Sequence, residues 1–267
     1  INNLCAYIRS PFLLAERAGQ LDKPYTKDLQ KDFGGDKEKF DADKRAFARD
    51  KAALEEERQV RQSIIEEIHK RLQYIGTPGS WSKLDYDFSN AHFFYPIVFT
   101  NSCFDASSRF FGATFTQDAD FSETTFTEGA PFSGATFLQD ANFSRAAFTR
   151  DADFFGAKFT GYADFFEAEF TGSADFSWAE FTGSADFSGA TFEEKPIFER
   201  ALGDKTYKAR FSYKADPEDY NFEVANNSPY KIETKEQEHN GVKFIIPEDA
   251  MLFDPDNPFA WAEPAGG

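Results

Sequence analysis

Phenylalanine recurs through the middle of the chain at intervals that alternate between five and six residues without a break. An α-helix has a period of 3.6 residues, so it would scatter this spacing around its circumference. A meander of hairpins would need longer strands and Asn-Gly or Asp-Gly turns, which this stretch lacks. Short inward-facing segments joined by tight corners fit the spacing, and they predict a coiled, parallel β-solenoid with an 11-residue unit. The residues that carry the spacing are Phe88, Phe93, Phe99, Phe104, Phe110, Phe115, Phe121, Phe126, Phe132, Phe137, Phe143, Phe148, Phe154, Phe159, Phe165, Phe170, Phe176, Phe181, Phe187, Phe192 and Phe198.

A second register lies two residues before each of these phenylalanines, and it is mostly alanine. Residues two apart in an extended chain point to the same side, so the alanine and the phenylalanine both face inward. The residue between them is polar or variable and faces outward. We therefore expect a structural core of one small and one large side chain per unit, with the phenylalanines from Phe115 to Phe192 at its centre.

The repeat units, such as Ala-Asp-Phe-Ser-Trp at 174–178, resemble the pentapeptide-repeat family, whose consensus is Ala-Asp/Asn-Leu/Phe-x-x. The resemblance covers residues 86–200, within a predicted domain of 80–200. It implies a mainly β protein, a right-handed quadrilateral β-helix with four units per coil. Every second unit carries an extra residue, which lengthens the coil from 20 residues to 22. We expect this residue at two opposite corners, with about five coils and four stacked columns of phenylalanine.

Residues 1–79 are predicted to be a helical N-terminal region with one long helix at about 36–75. This stretch lacks Gly and Pro and is rich in Ala, Glu, Lys and Arg, which are strong helix formers. Its apolar residues form a narrow stripe, which leaves two interpretations open: a coiled coil between chains, or one helix docked on its own protein. The stripe consists of Phe40, Phe47, Leu54, Val60, Ile64, Ile68, Leu72 and Ile75.

After the last regular repeat, residues 201–267 are predicted to form a C-terminal cap and an extended tail. An open solenoid end exposes unpaired strand edges, so some segment has to cover it. Lys205–Lys208 is interpreted as an inserted loop, and Ala209 with Phe211 as a stray repeat unit. The tail, 251–261, is expected to dock either on the cap or on a neighbouring molecule.

The chain is strongly acidic, with a formal net charge of −17. Direct nucleic-acid binding is therefore not expected, because contacts to phosphates need a cationic surface. Cys5 and Cys103 are interpreted as free thiols in a reducing compartment. No stretch approaches the roughly 18–20 apolar residues of a membrane span. We expect a location in the cytoplasm or on the cytoplasmic face of a membrane, and a signal or anchor before Ile1 stays open.

No motif of catalytic chemistry connects the titratable residues. His69, His92 and His239 belong to no metal-ligand or Ser-His-Asp pattern and are interpreted as solvated side chains. The glycines mostly mark corners, and no phosphate-binding loop is recognisable. The chain is therefore predicted not to be an enzyme and to need no cofactor or metal.

Rows of acidic residues are the first candidate for an interaction surface. Residues spaced by 22 should stack on one face of the solenoid, so the rows could bind a cation or imitate phosphates. Alternatively, each Asp only bonds a neighbouring backbone group at its turn. One row contains Asp120, Asn142, Asp164 and Asp186, and the row on the opposite face contains Asp153 and Asp175.

Aromatic residues next to the core phenylalanines are the second candidate surface. Exposed aromatic side chains mark interfaces more often than exposed aliphatic ones do. Alternatively, these rings fold back over a corner of the solenoid. They are Phe94, Phe111, Phe155, Phe166 and Trp178.

The leading hypothesis is a bacterial, non-enzymatic scaffold that presents flat, acidic β-helix faces to a protein partner of unknown identity. The N-terminal helix would be a second docking element, and a homo-oligomer formed through that helix or the C-terminal tail stays open. The resemblance implies a second hypothesis, since some pentapeptide-repeat proteins imitate B-DNA and bind type II topoisomerases such as gyrase. A third hypothesis is a membrane-tethered interaction module whose anchor precedes residue 1.

Overall fold

The computed structural model describes residues 1–73 and 78–257 of the 267-residue chain. Along the chain these form a helical arm (residues 1–73), a β-solenoid and an irregular C-terminal cap. The helices are Asn2–Arg9 (α1), Ala18–Leu21 (α2), Leu29–Phe33 (α3) and Lys37–Leu72 (α4), with 3-10 turns at Leu13–Arg17 and Pro217–Asp219.

Twenty strands of two residues each build the regular part of the solenoid. Strands 22 residues apart pair in parallel, as Ala141 does with Ala163 and Phe137 with Phe159. The predicted solenoid of about five coils is confirmed, and we number its four sides as faces 1 to 4 in the order in which the chain visits them. Face 1 contains Tyr86–Asp87, Ser108–Arg109, Ala130–Pro131, Ala152–Asp153 and Ala174–Asp175; face 2 contains His92–Phe93, Thr114–Phe115, Thr136–Phe137, Lys158–Phe159 and Glu180–Phe181; face 3 contains Ile97–Val98, Ala119–Asp120, Ala141–Asn142, Ala163–Asp164 and Ala185–Asp186; face 4 contains Cys103–Phe104, Thr125–Phe126, Ala147–Phe148, Glu169–Phe170 and Thr191–Phe192.

Two kinds of corner alternate around each coil. At the tight corners, which follow faces 1 and 3, two residues separate the core ring from the next buried small residue; the Ala113 N–H donates to the Phe110 carbonyl oxygen at 3.0 Å. The second corner residue has a positive φ, which Gly112 and Gly134 adopt (61° and 65°) without a steric penalty. At the wide corners, after faces 2 and 4, three residues are needed, such as Thr127–Gly129. The extra residue therefore lies at two opposite corners of each coil, as expected.

Phenylalanine rings fill the interior of the solenoid. The repeat phenylalanines from Phe88 to Phe192 are at most 1 % exposed, and the alanines of the second register are equally buried. Within a column the rings stack in parallel, with 4.7 Å between the ring centroids of Phe115 and Phe137. Across the axis, rings from faces 1 and 3 meet edge to face; the centroids of Phe110 and Phe121 are 5.3 Å apart at 81°. Both geometries are favourable for aromatic rings, so each ring is held by neighbours in two directions.

The helical arm packs on its own chain and on the first coil. The long helix α4 contacts strand Ile97–Val98 on face 3, and α1 contacts the first strands of faces 1 and 2. Arg61 of α4 is 2 % exposed and donates to the carbonyl oxygens of Ile8 and Ser10, at 2.7 and 2.9 Å, and to the carboxylate of Glu57. These partners matter because an unpaired buried charge is strongly destabilising. Of the two interpretations of the helix, docking on its own protein is the one that the structure shows.

The buried line of α4 differs from the predicted apolar stripe. Val60 is 44 % exposed, so the stripe was wrong at this position, whereas Ile64 is partly buried and packs against the core. The line passes instead through Arg61, because Glu57 and the carbonyl groups near α1 satisfy its guanidinium in a place where an apolar residue was expected. Ile75 lies outside the described residues. The buried residues of α4 are Leu54, Arg61, Ile65, Ile68 and Leu72.

The solenoid continues into the cap with longer connections. Phe211 stacks on Phe181 at a centroid distance of 4.7 Å, although thirty residues rather than 22 separate them. The additional residues form an antiparallel hairpin of Glu199–Leu202 and Lys205–Lys208, which we call the inserted hairpin. The interpretation of Lys205–Lys208 as a loop was therefore wrong, and the stray unit that contains Phe211 extends face 2.

The rest of the cap adds the last strands to the parallel sheets of faces 2 and 3. Strand Arg210–Ser212 pairs with Met251–Phe253, which ends face 2, and Tyr220–Asn221 ends face 3. The expected extended tail thus begins as a strand docked on its own cap. Phe259 and Trp261 lie outside the described residues. A second antiparallel hairpin, Thr234–His239 with Val242–Pro247, turns at Asn240 and Gly241, both of which have positive φ.

Candidate interaction surfaces

The acidic row on face 3 is assembled as expected, with Asp120, Asn142, Asp164 and Asp186 in register on adjacent coils. One side-chain oxygen of each residue accepts a backbone N–H two residues further on; the distance from Asp164 Oδ1 to the Phe166 nitrogen is 2.8 Å. This contact is the turn-forming role that the alternative interpretation gave to the Asp position. The other carboxylate oxygen remains for further contacts, such as the 3.2 Å hydrogen bond that Asp186 Oδ2 accepts from the Tyr162 hydroxyl.

Face 3 and its two flanking corners, residues 116–124, 138–146, 160–168 and 182–190, form what we call the acidic face. Seven carboxylates stand there against one guanidinium, that of Arg145. Burial raises the pKa of Asp164, and the like charges of Asp186 and Asp120 raise it further. The acids therefore repel one another, which a cationic surface would relieve. They are Asp118, Asp120, Glu123, Asp140, Asp164, Glu167 and Asp186.

Face 1 does not repeat this pattern. Asp153 is part-exposed and makes the same turn contact, with 2.9 Å between its Oδ1 and the Phe155 nitrogen. Asp175 is only 4 % exposed, because Arg200 of the inserted hairpin lies over it with 2.6 Å between guanidinium nitrogen and carboxylate oxygen. The prediction that Asp175 belongs to an open interaction surface was therefore wrong. Arg109 and Pro131 hold the equivalent positions of the earlier coils.

The five candidate aromatic residues have different environments. Phe94 is fully buried under the arm, with its ring stacked on Phe12 at a centroid distance of 5.7 Å, so it is not an open surface. Phe166 is half-buried and lies beneath the Arg145 guanidinium, 5.5 Å from the ring centroid. The other three lie on the tight corner between faces 1 and 2, which we call the 1–2 corner: Phe111, Phe155 and Trp178.

Trp178 adopts a backbone conformation that side chains disfavour. Its φ is +59°, at a corner position where the three preceding coils have glycine. A left-handed residue with a side chain costs about 1–2 kcal/mol. The ring contacts Phe155 and Tyr207, at centroid distances of 5.6 and 5.3 Å, and these contacts offset the cost. Tyr207 belongs to the inserted hairpin, so no local sequence signal could have placed it on this corner.

The three histidines are not the solvated side chains that were expected. His69 and the Thr100 carbonyl oxygen are 2.9 Å apart, which joins α4 to the first coil. His92 is part-buried beside the arm, and this burial lowers its pKa. His239 stacks on Tyr213 with 3.6 Å between ring centroids. Each histidine therefore has a structural neighbour that its sequence context did not reveal.

Both cysteines are free and buried, and burial raises the pKa of each thiol. Across residues 1–73 and 78–257, no group of three or more His, Cys, Asp or Glu is arranged to hold a metal ion. Within the same ranges no helix is both long and apolar enough to cross a bilayer.

The four-sided coil, its two-residue strands and its stacked phenylalanines define the molecule as a parallel β-solenoid. Residues 110–158 and 154–201 match the family model described as pentapeptide repeats (9 copies). The pentapeptide repeats expected from the sequence are therefore confirmed within residues 110–201. Neither a search of curated proteins nor a search of solved structures found a match.

Proposed function

We propose that the chain is a non-enzymatic protein-interaction module whose acidic face binds a basic surface of a partner protein. The observation that carries the proposal is the concentration of charge, with seven carboxylates and one guanidinium on that face. The matching part of face 1, residues 105–113, 127–135, 149–157 and 171–179, has five carboxylates and two guanidinium groups. One of those five is Asp175, which already has Arg200 as its partner.

The rigidity of the acidic face supports this proposal. Its strands are hydrogen-bonded to the coils on both sides, and each Asp or Asn of the row is fixed by a backbone N–H. Little conformational freedom is therefore lost when a partner binds, which favours affinity. Complementary charge mainly accelerates association and selects the partner, so the complex should weaken as salt is added.

The test is affinity capture from the protein's native cells with a variant that removes three charges and keeps the turns. Asn142 shows that asparagine makes the same backbone contact, with 2.9 Å between its Oδ1 and the Ser144 nitrogen. The test variant is Asp120→Asn, Asp164→Asn and Asp186→Asn combined. The matched control removes three charges from face 1 and its wide corner: Glu128→Gln, Asp151→Asn and Asp153→Asn combined.

We expect a partner that is retained by the wild type and by the face 1 control but is lost by the acidic-face variant. We also expect it to elute between low and moderate salt. A partner that both variants retain equally, or no partner that distinguishes them, would contradict a role for the acidic face.

DNA mimicry is a second candidate, and the stacked carboxylates of face 3 together with the net charge of −17 favour it. The pattern does not extend to face 1, where Arg109 and Pro131 interrupt the row. A gyrase supercoiling assay distinguishes the two functions. Mimicry predicts inhibition that weakens with added salt, whereas an absence of inhibition at low salt would remove this candidate.

A further inference from the structure

The 1–2 corner presents aromatic rings beside exposed backbone. Phe111 is 53 % exposed and Trp178 is 44 % exposed. Phe155 lies on a coil between them, and Tyr207 contacts both Phe155 and Trp178. At Gly134, an added Cβ would meet only Gly112 Cα, at 4.0 Å, so the corner is open there. We call this surface the aromatic edge; it consists of Phe111, Gly112, Ser133, Gly134, Phe155, Gly156, Trp178 and Tyr207.

The spacing of the rings along the edge is set by the coils. The core rings of Phe110, Phe132 and Phe154 lie directly inside this corner, and successive centroids are 4.7 and 5.3 Å apart. Phe111 and Phe155 are two coils apart, so they are separated by roughly 10 Å along the solenoid axis. A polyproline II helix has three residues per turn and a rise of about 3.1 Å per residue, which gives a turn of about 9.3 Å. Prolines at every third position of such a helix would therefore meet the two rings in register.

Polar groups at the edge suit the same ligand. The indole N–H of Trp178 and the hydroxyl of Tyr207 have no hydrogen-bond partner among residues 1–73 and 78–257. A polyproline II helix has no internal hydrogen bonds, so its carbonyl oxygens are free to accept from such donors. Gly134 leaves room for the ligand backbone between the coils that carry Phe111 and Phe155, whereas Asn90 and the Trp178 ring fill the space beside Gly112 and Gly156.

The backbone of the corner excludes an added β-strand as the occupant. The Gly112 and Gly134 N–H groups donate to the carbonyl oxygens of Ser133 and Phe155 on the next coil, at 2.9 and 2.8 Å. A peptide that binds by strand addition needs an unpaired row of backbone groups, which this corner does not offer. A ligand recognised through its side-chain rings and carbonyl oxygens needs no such row.

We propose that the aromatic edge binds a proline-rich segment of a partner protein in the polyproline II conformation. The site is separate from the acidic face and goes beyond the function proposed above. Aromatic-lined surfaces are a general means of binding this helix, because its fixed shape loses little entropy on docking.

The experiment is a fluorescence anisotropy titration of dye-labelled decaproline with the full chain. Decaproline has no charged side chains, so its binding does not depend on the acidic face. The chain itself provides conservative replacements: Ser133 is the equivalent of Phe111 one coil later, and Gly156 is the equivalent of Trp178 one coil earlier. The variants are therefore Phe111→Ser and Trp178→Gly, with Phe155→Ser as a third should either fail to fold.

The matched control is Phe166→Ser, which removes the same side chain from the other tight corner, where Ser144 is the equivalent residue. We expect saturable binding that Phe111→Ser and Trp178→Gly each weaken about three- to tenfold, since one aromatic contact contributes that much. Phe166→Ser and added salt should leave the affinity unchanged.

Three results would overturn the proposal. The first is an absence of saturable decaproline binding, and the second is an equal loss of affinity in Phe166→Ser. The third is concentration-dependent self-association of the wild type that Phe111→Ser abolishes, because a second copy of the chain would then occupy the edge. The acidic face has its own test with different variants and a different readout, so the two proposals can fail separately.

Discussion

The two tight corners of the solenoid share one backbone conformation and present opposite chemistry. On the 1–2 corner the positive-φ position holds Asn90 in the first coil, then Gly112, Gly134, Gly156 and finally Trp178. On the tight corner between faces 3 and 4, the 3–4 corner, the same position holds an asparagine in the first coil, then three charged residues and a glycine: Asn101, Glu123, Arg145, Glu167 and Gly189. The repeat therefore constrains the backbone and the inner side chains, while the outer corner residues vary freely enough to make an apolar edge or a charged one.

The physical reason lies in what each position contacts. An inner ring is enclosed by rings of its own column and of the opposite face, so a change of volume there is felt by all of them. A corner residue has solvent on one side and only needs a tolerable positive φ. Recognition can be encoded at the corners without altering the coil.

The largest effect on the free energy of unfolding should separate two neighbouring residues, the inner Phe154 and the outer Phe155. Phe154→Ser leaves a cavity and an unpaired hydroxyl among stacked rings and should lower the free energy of unfolding by at least about 4 kcal/mol. Phe155→Ser should cost less than about 1 kcal/mol, because its ring is half-buried and Ser133 occupies the same position. Urea denaturation followed by circular dichroism measures both. Equal losses would show that inner and outer positions are not energetically distinct.

A smaller change in the free energy of unfolding is expected from substitutions that compare the two tight corners directly. Gly134 has a φ of 65° and room for a Cβ, so Gly134→Ala should lower the free energy of unfolding by about 1 kcal/mol through backbone strain alone.

On the 3–4 corner glycine should again be more stable than alanine. Glu123 has a φ of 56°, so Glu123→Gly should be more stable than Glu123→Ala by about 1 kcal/mol. Both variants remove the same charge, so the difference in stability between them reflects the cost of the positive φ to a residue with a side chain. Thermal melts that rank alanine above glycine at either corner would contradict the shared conformation.

The smallest effect concerns the charge of the acidic face. Burial and like charges raise the pKa of Asp164 in the folded chain, so its ionised form opposes folding at neutral pH. Stability should therefore fall as pH rises through this pKa, and Asp164→Asn should be more stable at pH 7 by less than about 1 kcal/mol. The gain should vanish at acid pH, where the carboxyl group is protonated in both states.

Asp153→Asn on face 1 is the control for this measurement. It keeps a similar backbone contact, at 2.9 Å, and removes a charge from a less acidic surrounding, so its gain at pH 7 should be smaller. Loss of stability in Asp164→Asn at pH 7 would mean that the carboxylate is favourable where it stands.

The solenoid could be predicted because its determinants are local and repeated. The spacing of Phe and Ala defines which side chains face inward, and the same five- and six-residue steps recur in every coil, as in Phe132, Phe137 and Phe143. The site was less predictable. The acidic row follows from the period, whereas the burial of Asp175 depends on Arg200. That arginine belongs to a hairpin that interrupts the period.

The helical arm shows the same limit of prediction from the sequence. A helix was predictable from composition, but which of its faces is buried depended on the groups it met. Arg61 lies in the buried line because α1 brings carbonyl oxygens to it, and Phe94 is covered because the arm crosses the first coil. Neither residue has a property of its own in the sequence that would show that it is buried rather than exposed.

By itself, the sequence determined the coil, its period and its inner columns, because those contacts join residues related by a constant separation. Only the tertiary structure decided which outward groups are open, since the arm and the inserted hairpin cover some of them by contacts between unrelated segments. Periodic packing is encoded in every repeat, whereas coverage of a surface depends on where two distant parts of the chain meet.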